Sequence, residues 1–159
     1  MYQAKLAGKN RFHMFDTAQD SGMHHHHEQT KRIRKGLFSG EFSLHYQPKV
    51  NMRTGQVIGA EALIRWQHPD QGLQMPGSFL PAVENHPLAI DIGEWVIESA
   101  LTQMDTWHAQ GFDLPVSVNI GTSQLRHLDF VERLRDILAR HPNIKASSLG
   151  LEIQETSAI

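Results

Sequence analysis

The sequence predicts an α/β fold built on a mixed sheet, and three observations lead there. Two strand-like runs, "FSLHYQPKV" and "QVIGAEALIRWQ", are separated only by the polar, glycine-containing "NMRTG", a connection short enough to force an antiparallel hairpin. Downstream, strand and helix patterns alternate as β-α-β-α-β, which implies parallel strands joined by right-handed helical crossovers. The 159 residues are 40% hydrophobic and contain no cysteine, which suffices for one ordinary core without disulfides. This pattern fits a doubly wound sheet or a β/α barrel, and the count stops at about four strands.

Taken in order, residues 1–16 read as a helix end closed by Gly8 and a short strand, "RFHMF". These cannot make a core and look like the tail of a preceding unit. "DTAQDSGMHHHHEQ" is polar and aperiodic, and reads as a linker entering a helix from about Glu28 to Phe38. Its tetrahistidine, His24 to His27, reads as hydrophilic linker or helix start rather than a metal site, because consecutive helical side chains point around the axis and cannot all chelate one ion. After the hairpin, a brief helix breaks near Pro87 and a long one follows. The stripe Leu88, Ile92, Trp95, Val96 and Met104 gives that helix a core-facing side, and Gly111 closes it. "LPVSVNIG" is a short strand, and "LDFVERLRDILARHP" is an amphipathic helix opened by Leu128-Asp129 and ended near Pro142. "SSLGLEIQET" is the last strand.

Lysine plus arginine (15) nearly balances aspartate plus glutamate (17), so no overall electrostatic footprint for nucleic acid exists. Without cysteine, thiolate zinc sites and cysteine nucleophiles are excluded. No apolar run approaches the ~20 residues a membrane helix needs, and the start lacks a signal-peptide core. The expectation is a soluble, cytoplasmic chain, any membrane anchor of a parent protein lying elsewhere.

The second strand places a carboxylate and a guanidinium on one face. Ile58, Ala60, Ala62, Ile64 and Trp66 point one way, and Val57, Gly59, Glu61, Leu63 and Arg65 the other. Four residues apart, Glu61 and Arg65 have α-carbons about 13 Å from each other, too far for a simple ion pair unless the long arginine folds back. Serine, asparagine, glutamate and glutamine recur on the same side of the other strands: Ser43, His45 and Gln47, then Ser117 and Asn119, then Glu152 and Gln154. Glu61, Asn119 and Glu152 fall toward strand C-terminal ends, where β/α barrels carry their sites. Two carboxylates and an amide suit a hard cation, Mg²⁺ or Mn²⁺, with Arg65 to hold a phosphate oxygen. The plainer alternative is one wet face of an antiparallel sheet, to which strand alternation is no objection.

Several separated motifs, "YQPKVNMRTGQVIGAEALIRW", "FLPAVE", "IGEWVIESAL", "VSVNIG", "DFVERLRDIL" and "LGLEIQET", occur in one order over Glu41 to Ile159. In them the chain resembles the EAL family, bacterial phosphodiesterases that cleave cyclic di-GMP. The opening "MYQAKLAGKNRFHMFD" resembles the end of a GGDEF, diguanylate cyclase, domain. The resulting division is 1–16 for the GGDEF tail, 17–40 for linker and helix, and 41–159 for the first half of an EAL domain.

The resemblance implies a partial (β/α)8 TIM-type barrel with an antiparallel first strand, truncated after about four strands. It implies Glu61, Asn119 and Glu152 as metal ligands and Glu61 as catalytic. Arg65 would contact a substrate phosphate, Gln47 and the Leu63 backbone would lie near the nucleotide, and Glu155 would support a neighbouring active-site loop. The implied reaction is two-metal, in-line hydrolysis of cyclic di-GMP to linear pGpG. Gln154 stands where the family commonly has threonine. The later acidic pair, lysine, glutamate and glutamine of the family do not occur in these 159 residues, so the chain alone is expected to be inactive, and an unpaired strand edge invites homodimerisation. A non-catalytic cyclic di-GMP-binding module is the alternative, against which the retained Glu61, Asn119 and Glu152 argue.

Overall fold

The computed structural model describes residues 17–153. The helix end and strand expected in residues 1–16, and Gln154 and Glu155, lie outside them. Strand β1 (Phe42–Val50) and strand β2 (Val57–His68) form the anticipated hairpin, in a register that sets Phe42 opposite Trp66 and Gln47 opposite Glu61. The connecting turn is local chemistry: Asn51 Oδ1 accepts from the backbone amides of Arg53 (2.9 Å) and Thr54 (3.3 Å). Gly55 supplies the left-handed residue, φ 69°, that ends the turn.

A short third strand, β3 (Gly72–Gln74), folds back antiparallel on the far end of β2. Three residues are too few to display alternation, which is why the sequence did not reveal it. Strand β4 (Val116–Ile120) runs parallel to β2, and strand β5 (Leu149–Ile153) parallel to β4. The main path of the sheet is therefore β1-β2-β4-β5, the start of a β/α barrel with its first strand antiparallel.

Helix α1 (Thr17–Phe38) precedes the sheet, and α2 (Pro76–Phe79) with a 3-10 turn (Leu80–Ala82) follows β3. The crossovers are α3 (Leu88–Ala109) between β2 and β4, then α4 (Thr122–Leu125) and α5 (Phe130–Ala139) between β4 and β5. Helix α1 departs from expectation in its start, at Thr17 and not near Glu28, so that the tetrahistidine lies within the helix. Thr30, Ile33 and Gly36 are buried, whereas residues 24–29 are exposed. A helix segment with no buried face leaves no periodicity to read.

The core is the seam between the apolar faces of β2 and β4 and the inner side of α3. Ala62, Ile64, Val116, Val118 and Ile120 meet Ile92, Val96, Ile97, Ala100, Leu101 and Met104. At one end an aromatic cluster closes it: Phe42 stacks on Trp66 at 5.3 Å between centroids and meets Phe79 edge-on at 5.4 Å. Helix α1 joins this cluster through Glu41, which accepts from Trp66 Nε1 (2.9 Å) and from Arg32 Nη2 (2.7 Å).

Two further contacts hold the helices. An added β-carbon at Gly93 would lie 1.8 Å from Gln124 Oε1, so α3 and α4 approach through a missing side chain. His141, buried after α5, faces a carboxylate with each ring nitrogen: Nδ1 meets Asp105, and Nε2 meets Glu98 Oε1 at 3.0 Å. Both nitrogens must donate, which requires the imidazolium. Burial alone pulls this pKa down, yet the hydrogen bonds to Asp105 and Glu98 outweigh it, and the net value lies above the ordinary 6.5.

Gly93→Ala is expected to lower stability by about 1–3 kcal/mol through overpacking against buried Gln124. Thermal unfolding checks this, and Gln124→Ala added to it recovers part of the loss. Because the folded pKa of His141 is raised, its stabilisation is complete below pH 6.5 and is lost as pH rises through the folded value. A melting temperature that falls across that window in the wild type, with this component absent from His141→Gln, is the expected result.

Candidate functional site

Strand alternation turns a second, polar face away from α3. It carries Ser43, His45, Gln47 and Lys49 from β1, and Gly59, Glu61, Leu63 and Arg65 from β2. Ser117 and Asn119 come from β4, and Gly150 and Glu152 from β5. Register then decides which of these are neighbours: Gln47 is opposite Glu61, Glu61 is beside Ser117, and Asn119 is beside Glu152. Residues from four strands and 106 positions of sequence, Gln47 to Glu152, thereby reach one patch.

Asn119 Nδ2 donates to Glu61 Oε1 at 2.8 Å, joining two of the three anticipated ligands directly. The third, Glu152, is held by Lys49, whose Nζ donates to its carboxylate and, at 2.7 Å, to Ser117 Oγ. Hydrogen bonds from Lys49 first and Ser117 second hold the Glu152 carboxyl below the usual carboxylate range, despite the opposing effect of burial. Arg65 Nη1 donates to the Ile64 carbonyl at 2.9 Å, leaving the remaining N–H groups of its fork to other acceptors. As the α-carbon spacing indicated, Arg65 is not bonded to Glu61 in the described structure. Leu63 is half-buried between Glu61 and Arg65, and Gln47 is exposed at the rim. Glu155 lies outside the described residues.

One placement differs from the sequence reading. Glu61 is not near the C-terminal end of its strand but five residues into the 12 of β2. The strand continues because its later half is paired with β1 on one edge and β3 on the other. Glu61 reaches the others because β4 begins level with it, so that Asn119 reaches back along the sheet to meet it. The residue that sequence reasoning passed over is Lys49. It continues the alternation Ser43, His45, Gln47, and that periodicity was the signal available for it.

Among the described residues no three histidine, cysteine, aspartate or glutamate side chains converge as a metal-binding group. What the patch offers is a hard, oxygen-rich set: two carboxylates, the Asn119 amide oxygen and the Ser117 hydroxyl. That set fits one hard cation in donor type. The ammonium of Lys49 against Glu152 is itself an observation that the cluster recruits positive charge.

Fold and site together define a β/α-barrel protein with a polar, oxygen-rich inner face. The EAL domain family matches residues 30–159, and the chain belongs to that family. It is 38% identical over 160 residues to the bifunctional diguanylate cyclase/cyclic di-GMP phosphodiesterase MucR of Pseudomonas aeruginosa, covering 100% of this chain and 23% of that protein. It is 32% identical over 159 residues to the cyclic di-GMP phosphodiesterase PdeR of Escherichia coli, covering 100% of this chain and 24% of that one. The chain thus spans about a quarter of the length of these relatives. A solved structure of the MucR phosphodiesterase in complex with c-di-GMP superposes with a TM-score of 0.76 at 41% identity, covering 83% of this chain and 53% of the other. The similarity reaches back into α1, so the family's sequence pattern includes the end of that helix as well as the sheet.

The contact with Lys49 has a measurable signature. Following the Glu152 side-chain carboxyl by ¹³C NMR, its titration is expected below the usual carboxylate range and to move upward in Lys49→Met. An unshifted Glu152 in the wild type would show that the contact does not persist in solution.

Proposed function

We propose that this chain is the part of an EAL phosphodiesterase that binds cyclic di-GMP and the first catalytic cation. The observation that carries the reading is the Asn119–Glu61 hydrogen bond beside Glu152, three oxygen ligands gathered on the inner face of a chain of this family. Glu61, Asn119 and Glu152 hold Mg²⁺ or Mn²⁺. A bound divalent cation supplies Lewis-acid polarisation of a phosphoryl oxygen. Arg65, two places along the inner face beyond Leu63, directs its free guanidinium N–H groups to a phosphate oxygen of the dinucleotide. Gln47 and the Leu63 backbone lie along the nucleotide. Glu155 supports the adjoining loop.

Two carboxylates and an amide are enough for one cation but not for a bridged pair. On this reading two-metal hydrolysis to pGpG draws on ligands beyond those described, and the purified chain binds cyclic di-GMP without turning it over. The match along the full chain to MucR, a bifunctional diguanylate cyclase and cyclic di-GMP phosphodiesterase, supports a GGDEF domain joined ahead of α1.

Calorimetric titration with cyclic di-GMP in Mg²⁺, with chromatography for pGpG, tests both parts. Saturable binding without pGpG is expected, and Arg65→Ala is expected to weaken it about 10- to 100-fold, the loss of a charge-assisted phosphate contact. Absence of binding sinks the ligand assignment. Metal-dependent pGpG production that Glu61→Ala abolishes sinks the claim of inactivity.

A further inference from the structure

Lys49 is the one long cation that enters the carboxylate patch of the described residues, and the way it gets there is specific. Its β1 partner position on β2 is Gly59, which presents no side chain to block the path across the sheet. Immediately after it, between Lys49 and Val50, the β1–β2 register shifts by one residue, Ile58 of β2 being left without a partner on β1. From there the ammonium passes over β2 to Ser117 on β4 and Glu152 on β5. At ~4.8 Å per spacing, β4 lies two spacings from β1, about 10 Å, and β5 three, about 14 Å. The extended lysine side chain, with Ser117 and Glu152 reaching back toward it, spans that separation.

We propose that Lys49 is the resident counter-cation of this site: it neutralises Glu152 while the site lacks a divalent ion, must leave that carboxylate for the ion to enter, and so sets the threshold of metal affinity. The inference rests on the reading of Glu152 as a metal ligand. Its physics is competition. Without a partner the Glu152 carboxylate adds uncompensated negative charge to the face that also carries Glu61, and a tethered ammonium relieves it at high local concentration. A cation that binds Glu152 must displace that ammonium, and the two occupancies are coupled with opposite sign. Lys49 is thus a positioning residue for Glu152, not a catalytic one.

The test is Mn²⁺ binding to the purified chain, read directly from the electron paramagnetic resonance signal of free Mn²⁺. Lys49→Met is expected to bind Mn²⁺ about tenfold more tightly than wild type. Lys49→Gln, polar but uncharged, repeats the test with a side chain suited to a half-exposed position. Lys49→Arg retains the charge and gives no such gain. Glu152→Gln weakens binding, and in that background Lys49→Met brings no improvement. A purely structural role for Lys49 predicts the reverse, weaker binding in the uncharged variants. If Glu152→Gln weakens binding while Lys49→Met and Lys49→Gln leave it unchanged or weaker, the counter-cation role falls and the ligand assignment stands. If Glu152→Gln leaves Mn²⁺ binding unchanged, or if neither wild type nor Lys49→Met binds Mn²⁺, the ligand assignment falls and takes this inference with it.

Discussion

The seam between β2 and α3 is the contact on which the remaining structure depends. One face of β2 places Ala60, Ala62, Ile64 and Trp66 in the interior, and α3 covers the strand with its own stripe of Ile92, Val96, Ile97 and Leu101. Because strand side chains alternate, burying that face obliges Glu61, Leu63 and Arg65 to point the other way. A slip of one residue would bury a carboxylate and a guanidinium against α3 and expose the isoleucine and tryptophan. The hydrophobic requirement of one face therefore fixes the polar geometry of the other, and the site inherits its precision from packing that contains none of its residues.

The parallel pairing of β4 and β5 extends that logic sideways. Val116, Val118 and Ile120 continue the apolar seam, so Ser117 and Asn119 continue the polar face, and Glu152 follows on β5. Gly150 has its place in this arrangement. A β-carbon there would stand 3.2 Å from Ser117 Cβ, tighter than ordinary contact, so the serine that receives Lys49 keeps its room because its neighbour has no side chain. Helix α1 is tied into the same framework through Glu41 and Trp66, and Trp66 is the chain neighbour of Arg65. The helix that enters the domain is thus mechanically adjacent to the proposed phosphate-binding residue.

Some polar clusters serve the fold alone. His141 with Asp105 and Glu98, and Arg140 with Glu98 at 2.6 Å, clip the end of α5 to the outer side of α3. Tyr46 sits edge-on against Trp107 at 5.0 Å, its hydroxyl pushed up to about 12 by burial. Both lie on the helix-covered side of the sheet. Neither shares the polar face.

The sequence by itself determined the hairpin, the parallel alternation after it, the apolar stripe of α3 and the set of polar residues on one side of each strand. These are local periodicities, and a period of two or of 3.6 survives in the one-dimensional pattern. It also placed the chain by resemblance in the EAL family. It did not determine the extent of α1, whose exposed stretch at residues 24–29 carries no apolar pattern, nor β3, which is too short to show one. Above all it did not determine neighbourhood. That Asn119 meets Glu61 on the neighbouring strand, and that Lys49 crosses β2 above Gly59 to reach Glu152, depend on register and on strand order. Those are set jointly by the packing of four strands against their helices, and no single segment carries them.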